Sequence, residues 1–250
     1  MSVFEKRSIQ PERIDTGDYT PEEYATFLRE IRFINRYLGD ARALRKSLLR
    51  EIERESLSEF SVLDVACGSG ELLRQTAKFA RESNRSARLT GIDLHELSFS
   101  NLVIEDGAAT PRVEYVRGDA FRLPFSDGSF DYAMSSLFFH HLSDEQVPVA
   151  LAEMRRVARR GVFIIDLHRH AAAYYLYKLF CAAFRISPLV TQDGALSVLK
   201  GFRPGELERI SLQPAKSRRV APFRIVMRCV GEALSGVGDL RLDEQFEKRQ

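Results

Sequence analysis

A glycine-rich turn, with acidic residues spaced before and after it, is the part of this sequence whose residue types could do chemistry. Residues 66–70 read ACGSG and join an apolar stretch, 61–66, to a helical pattern, 71–81. Glycines at such a turn let a ligand approach the backbone, and the helix that follows offers unpaired N–H groups at its N-terminus. The spacing therefore predicts a ligand site at this turn.

Three carboxylates indicate what the ligand is. Asp64 lies within the first predicted strand, Asp93 ends the second and Asp119 follows the third. An acid in the position of Asp93 can accept hydrogen bonds from ribose hydroxyls, and one in the position of Asp119 could accept from the amino group of adenine. Acids would repel a pyrophosphate, and no P-loop lysine follows the turn. The ligand is therefore predicted to be a nucleoside without phosphates.

Two pairs of histidines could supply a base. His140 and His141 follow the fourth predicted strand, and His168 and His170 follow the fifth. Histidine titrates near neutral pH, so His140 or His141 is predicted to deprotonate or orient a reaction partner. The alternative is that one histidine of each pair packs or caps and that the site has no base. For His168 and His170 this alternative is favoured.

The elements that must position these residues alternate between strand and helix. Strands are predicted at 61–66, 87–93, 113–117, 131–135 and 162–166, and helices at 71–81, 96–104 and 145–158. This rhythm predicts a parallel sheet with helices on both faces, which is a doubly wound α/β fold. Ligands of such sheets bind beyond the carboxyl ends of the strands, where the turn and the acids lie.

The flanking segments are predicted to cap this core. Residues 1–19 are expected to be a flexible lead-in, a capping box of Thr20 and Glu23 starts a helix, and a second helix covers 41–55. After residue 166 the pattern predicts an apolar helix at 171–184, a loop through Pro188, Asp193 and Gly194, a helix at 204–210 and two strands within 217–230. The expected division is a helical lead-in and cap at 1–59, a core at 60–230 with a helical insertion at about 170–202, and a tail at 231–250.

The apolar helix at 171–184 is the expected specificity element. Its aromatic and aliphatic residues either are simply core or also form a lid over an aromatic or lipidic acceptor, and the combined role of lid and core is favoured. An extension of this hypothesis is that the helix touches a membrane surface to collect the acceptor.

The composition excludes several classes of protein. A hydrophobic fraction of 44% and a charged fraction of 29% are typical of a globular protein. No apolar run reaches the roughly 20 residues of a membrane span. A net charge of +2, spread along the chain, argues against nucleic-acid binding, and the basic tract Lys216, Arg218 and Arg219 fits a solvated strand edge. Three sparse cysteines and a polar N-terminus predict a cytoplasmic protein with reduced thiols, no signal peptide and no metal site.

The residues of the turn and of the segments after it resemble class I S-adenosylmethionine-dependent methyltransferases. DVACGSG at 64–70 is similar to the first motif of that family, and Asp93, GDA at 118–120 and LPFSDGSFD at 123–131 follow in the family's order. The last segment, with FHHL at 139–142, is similar to the subgroup of ubiquinone and menaquinone biosynthesis methyltransferases. The resemblance is close over about 60–166 and implies a Rossmann-like, mostly parallel sheet of seven strands.

The resemblance also implies roles for single residues. Asp64 would order the turn, Gly68 and Gly70 would let the backbone pass beneath the cofactor, and Asp93 would hold the ribose. Asp119 with Ala120 would read the adenine, and Ser135 or Ser136 would approach the amino-acid part. The expected cofactor-binding residues are Asp64, Ala66, Cys67, Gly68, Gly70, Asp93, Leu94, Asp119, Ala120, Ser135 and Ser136.

Three functional hypotheses remain open. The favoured one is an S-adenosylmethionine-dependent methyltransferase, monomeric or homodimeric, that O- or C-methylates a small hydrophobic or aromatic acceptor. The second is a non-catalytic partner subunit that binds the same cofactor. The third, a nicotinamide-dependent oxidoreductase, is disfavoured because the turn lacks the third glycine of G-x-G-x-x-G.

Overall fold

A seven-stranded sheet forms the centre of the computed structural model, which describes residues 3–94 and 113–231. The strands are β1 Glu59–Val65, β2 Ser86–Asp93, β3 Val113–Arg117, β4 Phe130–Ser136, β5 Ala158–Leu167, β6 Ala215–Val220 and β7 Arg224–Val230. Their order is β3-β2-β1-β4-β5-β7-β6, and β7 runs antiparallel to both of its neighbours. This confirms the doubly wound, mostly parallel fold that the strand–helix alternation predicts.

Helices surround the sheet and extend beyond its edge. They are α1 Arg13–Thr16, α2 Pro21–Tyr37, α3 Asp40–Leu44, α4 Arg50–Arg54, α5 Glu71–Glu82, α6 Gln146–Val157, α7 Ala171–Ala183, α8 Pro188–Lys200 and α9 Glu206–Ser211. A π-helical stretch, Arg45–Leu49, joins α3 to α4, so the single helix predicted at 41–55 is present with a widened turn. The predicted capping box starts α2: Glu23 N donates to Oγ1 of Thr20, and Thr20 N donates to Glu23.

Alternate strand residues point into two separate cores. Leu63 and Ala133 pack with α6 on one face of the sheet. Val62 and Met134 pack with α3 to α5 on the other face. Because both faces are covered, the central strands are apolar throughout, which is why they read as continuous hydrophobic runs in the sequence.

The sheet order reverses between β1 and β4. The chain moves outward from β1 to β2 and β3, then returns to place β4 on the other side of β1. A crevice forms beyond the carboxyl ends of the strands where the order reverses. The turn after β1 and the segment after β4 therefore border the same space.

The N-terminal strap, residues 3–19, is ordered, and the prediction of a flexible lead-in is wrong. Arg7 donates to the carbonyl oxygens of Lys200 and Leu142 at 3.0 and 2.9 Å, and its guanidinium pairs with Asp144 at 2.6 Å. The carboxylate of Asp193 accepts from the backbone N–H groups at 13 and 14, at 3.0 and 2.9 Å. These partners come from 135 to 193 residues away in the chain, so local sequence patterns could not show them.

Helix α8 stands where the sequence predicted a loop through Pro188, Asp193 and Gly194. Pro188 occupies the first turn of the helix, where no N–H is needed. Gly194 lies against the ring of Tyr177, which leaves no room for a side chain. The side chain of Asp193 accepts hydrogen bonds from the backbone of the strap. Each of the three residues that suggested a loop is therefore compatible with the helix.

Two predicted elements, the helix at 96–104 and the tail at 231–250 apart from its first residue, lie outside the described residues. Within the described ranges, no helix combines the length and the apolar character needed to cross a bilayer.

Candidate functional site

A cavity of about 1230 Å³ opens beyond the carboxyl ends of β1 and β4. Its floor is the glycine-rich turn, and its walls come from α2, the strap, α7 and α8. Of the residues predicted for the site, it is lined by Asp64, Ala66, Cys67, Gly68, Asp93, Ser136, His140 and His141. The structure thus brings the predicted turn, two of the predicted acids and both predicted histidines to one space.

The glycine-rich turn is built from left-handed backbone. Ala66, Gly68 and Gly70 have φ values of 57°, 50° and 67°. A side chain at Gly70 would collide with the hydroxyl of Tyr115, so this glycine is required by packing. A Cβ at Gly68 would meet nothing within 4 Å, because that face of the turn borders the cavity. The turn therefore exposes its backbone to a ligand at Gly68.

Asp93 ties the end of β2 to this turn. Its Oδ2 accepts a hydrogen bond from Gly68 N at 2.8 Å, and the side chain lines the cavity. The register of the parallel strands explains why Asp93 reaches Gly68. Val65 lies opposite Ile92, so β1 and β2 end at the same edge of the sheet. This position matches the one expected of a ribose-binding acid.

Asp64 is a buried acid beneath the turn. It is 3% exposed, and its Oδ1 has no hydrogen-bond partner among the described residues. Burial, and then the charge of Asp93, raise the pKa of Asp64 well above its usual range. Burial likewise raises the pKa of the Cys67 thiol, so Cys67 is a neutral neighbour and not a nucleophile.

Asp119 and Ala120 lie beside the cavity but do not line it. Gly118 N donates to the carbonyl oxygen of Asp93 at 3.0 Å, which places this turn next to the end of β2. The carboxylate of Asp119 is exposed and accepts from Phe121 N at 2.9 Å. The remaining predicted residues outside the lining are Leu94, which is 60% exposed, Gly70 and Ser135. Ser135 is 1% exposed, and its Oγ has no hydrogen-bond partner in the described part of the chain.

His140 forms a buried pair with Asp166. Its Nδ1 lies 2.7 Å from Oδ1 of Asp166, its backbone N–H donates to Oδ2 at 3.1 Å, and Leu167 N donates to Oδ1 at 2.7 Å. Burial raises the pKa of Asp166, but the charge and hydrogen bond of His140 and these N–H groups outweigh it and lower the pKa. Nδ1 of His140 faces the carboxylate of Asp166, so Nε2 is the ring nitrogen that does not contact Asp166.

His141 joins an ionic cluster with the strap. Its Nδ1 lies 3.0 Å from Oδ2 of Asp15 and 3.9 Å from Oε1 of Glu12, and Nζ of Lys200 lies 3.2 Å from Glu12. Burial alone would lower the pKa of His141, but the hydrogen bond to Asp15 and the charge of Glu12 raise it. Glu12, His140 and His141 could together reach one metal ion. The ammonium of Lys200 already supplies the positive charge there, so the cluster is an ion-pair network.

Sequence reasoning missed Asp166, Asp15 and Glu12. Asp166 had a signal, because it is an acid at the carboxyl end of β5, as Asp93 is at the end of β2. Asp15 and Glu12 had no signal in the sequence, since their partners lie more than a hundred residues away in the chain. His168 and His170 stay outside the cavity lining. His170 caps α7, and burial together with the charges of His170 and Arg219 lowers the pKa of His168 to about 4.

The other walls of the cavity are mostly apolar. They are formed by side chains of α2, α7 and α8, among them Tyr24, Phe27, Leu28, Ile31, Ile34, Leu176, Tyr177, Phe180, Val190 and Val198. The cavity exceeds the roughly 300–1000 Å³ of an ordinary small-molecule site. It therefore has room for two ligands, a polar one at the turn and an apolar one under the helices.

Residues 62–161 match the family model of the methyltransferase domain. The demethylmenaquinone methyltransferase of Staphylococcus aureus (strain MRSA252) is 32% identical over 122 residues, which are 49% of this chain and 48% of that enzyme. The chain thus spans about half the length of the curated relatives it matches.

Two solved structures share the fold at 17% identity. The PH0226 protein from Pyrococcus horikoshii OT3 has a TM-score of 0.51 and covers 76% of this chain and 91% of its own. A protein studied for the conversion of a disulfide bond into a thioacetal group during echinomycin biosynthesis has a TM-score of 0.52 and covers 76% and 84%. The domain match confirms the resemblance of residues 62–161 to a methyltransferase domain, and the two structures share the Rossmann-like fold of the core.

Proposed function

We propose that this chain methylates a hydroxyl group, or the ring carbon beside it, on a small apolar aromatic acceptor, with S-adenosylmethionine as the methyl donor. One observation carries the proposal. His140, whose Nδ1 is held by the buried carboxylate of Asp166, lines the same cavity as Gly68 and Asp93. A base and a nucleoside-binding turn therefore border one space.

The residues of the turn suit the cofactor. Gly68 leaves open backbone for the methionine part, Asp93 stands where ribose hydroxyls would lie, and the buried oxygen of Asp64 suits a cationic group. S-adenosylmethionine, when bound, supplies an electrophilic methyl group on a sulfonium. The contribution of the protein is then to position the acceptor and to accept its proton.

His140 supplies the proton acceptor. Its Nε2 takes the proton of the acceptor hydroxyl, and Asp166 stabilises the imidazolium that results, because the pair is shielded from water. A phenolate formed in this way is nucleophilic at its oxygen and at the neighbouring ring carbon. The apolar side chains of α2 and α7 favour an aromatic or aliphatic body on the acceptor.

The second candidate is a subunit that binds the cofactor without catalysis. An Asp–His pair buried beside the cavity favours the enzyme over this alternative, because burying the ionised carboxylate of Asp166 is costly and its hydrogen bond orients His140. A nicotinamide cofactor is disfavoured because the turn lacks the third glycine of G-x-G-x-x-G.

Calorimetry of the full chain with S-adenosylmethionine, S-adenosylhomocysteine and NAD tests the cofactor. We expect the first two to bind and NAD to give no heat. Transfer of a tritiated methyl group to a panel of alkylated phenols, compared with the same compounds lacking the hydroxyl, then tests the reaction.

The matched variants are His140→Gln and His170→Asn. The first removes the base, and the second keeps a capping side chain on α7 away from the cavity. We expect turnover to fall about 10²–10⁴-fold in the first and to change little in the second. Cofactor binding without transfer to any phenol, or equal turnover of His140→Gln and the parent, would overturn the proposal.

A further inference from the structure

Exposed apolar side chains are concentrated on one side of α7 and just beyond its end. Tyr175, Leu176, Leu179 and Phe184 are 63%, 52%, 65% and 56% exposed. They are four of the nine large apolar residues that stand exposed in the described part of the chain. Single exposed apolar residues are ordinary, whereas a contiguous patch marks a surface that binds something.

We propose that this surface docks on an anionic lipid bilayer and that the apolar acceptor enters the cavity from there. The docking face is defined as Tyr175, Leu176, Lys178, Leu179, Phe184 and Arg185. The acceptor entry rests on the proposed function, but the docking of the protein does not.

The docking face is continuous with the cavity. Leu176 is half exposed on the face and also lines the cavity. Phe180 lines the cavity one turn further on, and its ring packs against Phe184 at 4.6 Å between centroids. An apolar molecule leaving a bilayer at the docking face would therefore pass from one apolar surface to the next without crossing water.

The charges beside the docking face have one sign. Lys178 and Arg185 are exposed, and no Asp or Glu occurs between residues 167 and 192. Two acids that contact this part of the chain are engaged in hydrogen bonds: Asp193 accepts from the backbone of α1, and Glu30 of α2 accepts from Ser187 N and Oγ at 3.0 and 2.6 Å. A face that is apolar at its centre and cationic beside it complements anionic headgroups over acyl chains.

This charge pattern favours a bilayer over a second copy of the chain. An isologous dimer through α7 would bring Lys178 and Arg185 of the two copies towards each other without a compensating acid. On a bilayer the same two side chains can extend their amines towards phosphates while their stems cover apolar surface. With 13 residues, α7 is suited to lie in the interface and not to cross it.

Co-sedimentation of the full chain with vesicles tests the docking. We expect binding to phosphatidylcholine vesicles that contain about a third phosphatidylglycerol, and weaker binding to phosphatidylcholine alone or in high salt. The double variant Tyr175→Gln/Leu179→Gln should bind at least about tenfold more weakly, since both side chains lie outside the cavity lining. Lys178→Glu/Arg185→Glu should lose the preference for anionic vesicles.

Two matched substitutions outside the docking face control for the general effect of making the protein surface more polar or more negative. Val149→Gln replaces an apolar residue that is 50% exposed on α6, and Arg209→Glu reverses an exposed charge on α9. Both should bind as the parent does. A parent protein that stays in the supernatant with every vesicle, or variants that bind equally well, would overturn the docking.

Two further measurements keep the two proposals apart. If light scattering shows a dimer that Leu179→Gln converts to a monomer, the face is an interface between copies and the bilayer proposal is wrong. Calorimetry with S-adenosylmethionine on the same preparations reports on the proposed function. Cofactor binding without vesicle binding overturns the docking alone, and vesicle binding without cofactor binding overturns the proposed function alone.

Discussion

Nδ1 of His140 and Oδ1 of Asp166 lie 2.7 Å apart, with 3% and 0% of their side chains exposed to solvent. The geometry fixes which nitrogen of the imidazole bears the proton, because the carboxylate also accepts from the N–H groups of His140 and Leu167. A carboxylate satisfied in this way stays ionised and orients the ring. The hydrogen bond between the two side chains thus links the carboxyl end of β5 to the segment that follows β4.

Replacing Asp166 with Asn should lower turnover about 10²–10⁴-fold, because Nδ1 of His140 would lose its acceptor and the imidazolium its counter-charge. The loss should shrink for phenols acidic enough to be ionised at the assay pH, since these need no base. A plot of rate against acceptor pKa measures this. Asp131→Asn, which alters a half-buried acid at the opposite end of β4, should leave the slope of the plot unchanged. A loss of the same size for all phenols would assign Asp166 a purely structural role.

Replacing Gly68 with Ala should abolish cofactor binding while the protein stays folded. Gly205 offers a matched control, because both glycines have left-handed backbone, neither would place a Cβ within 4 Å of another atom, and Gly205 lies outside the cavity lining. Each substitution should cost about 1–2 kcal/mol of unfolding free energy from backbone strain. Thermal unfolding and calorimetry measure the two effects. Retained cofactor affinity in Gly68→Ala would show that the turn does not contact the ligand.

Binding of a cationic cofactor should release a proton from Asp64. Burial and the charge of Asp93 raise the pKa of this acid, whereas a positive group beside it would lower the pKa again. Affinity for S-adenosylmethionine should therefore increase with pH over the range where Asp64 titrates. Calorimetry in buffers of different ionisation enthalpy counts the protons released. Asp64→Asn should release none, and equal proton release by that variant would assign the proton to another group.

The strap should loosen as the pH rises. The pKa of His141 is raised in the folded protein, so the stabilisation that its charge provides is complete below the unfolded value of 6.5. That stabilisation is lost as the pH rises through the higher folded value. Proteolysis at the strap, measured from pH 6 to 9, should accelerate over this range.

The control for the strap is His141→Gln. This variant should be cut faster at low pH, by a loss of about 1–2 kcal/mol for one charge-assisted hydrogen bond, and should show no acceleration with pH. An unchanged pH profile in the variant would mean that Lys200, with Glu12 and Asp15, holds the strap without His141.

The sequence predicted the elements whose signals are local. The capping box at Thr20, the glycine turn at Gly68 and Gly70 and the rhythm of the strands each depend on residues close together in the chain. The position of Asp93 could also be predicted, because parallel strands end at a common edge of the sheet. These features include the end of the cavity at which we propose that the cofactor binds.

The rest of the site depends on contacts between distant residues. Arg7 and Asp193 order the strap through partners that no local pattern connects to it. The sequence predicts a loop in place of helix α8 because proline and glycine commonly break helices, whereas Pro188 lies in the first turn and Gly194 packs against the ring of Tyr177. The proposed acceptor end of the cavity is enclosed by these segments, which is why its shape could not be predicted.

The strap is synthesised long before some of the residues that it contacts. Arg7 leaves the ribosome 193 residues before Lys200, whose carbonyl oxygen it will bind. At about 5–20 residues per second this is a wait of roughly 10–40 s. Leu142 and Asp144, two other partners of Arg7, are made earlier in that interval, whereas the partners on α8 are made only at its end. The wall that the strap contributes to the cavity can therefore take its final contacts only after α8 has been made.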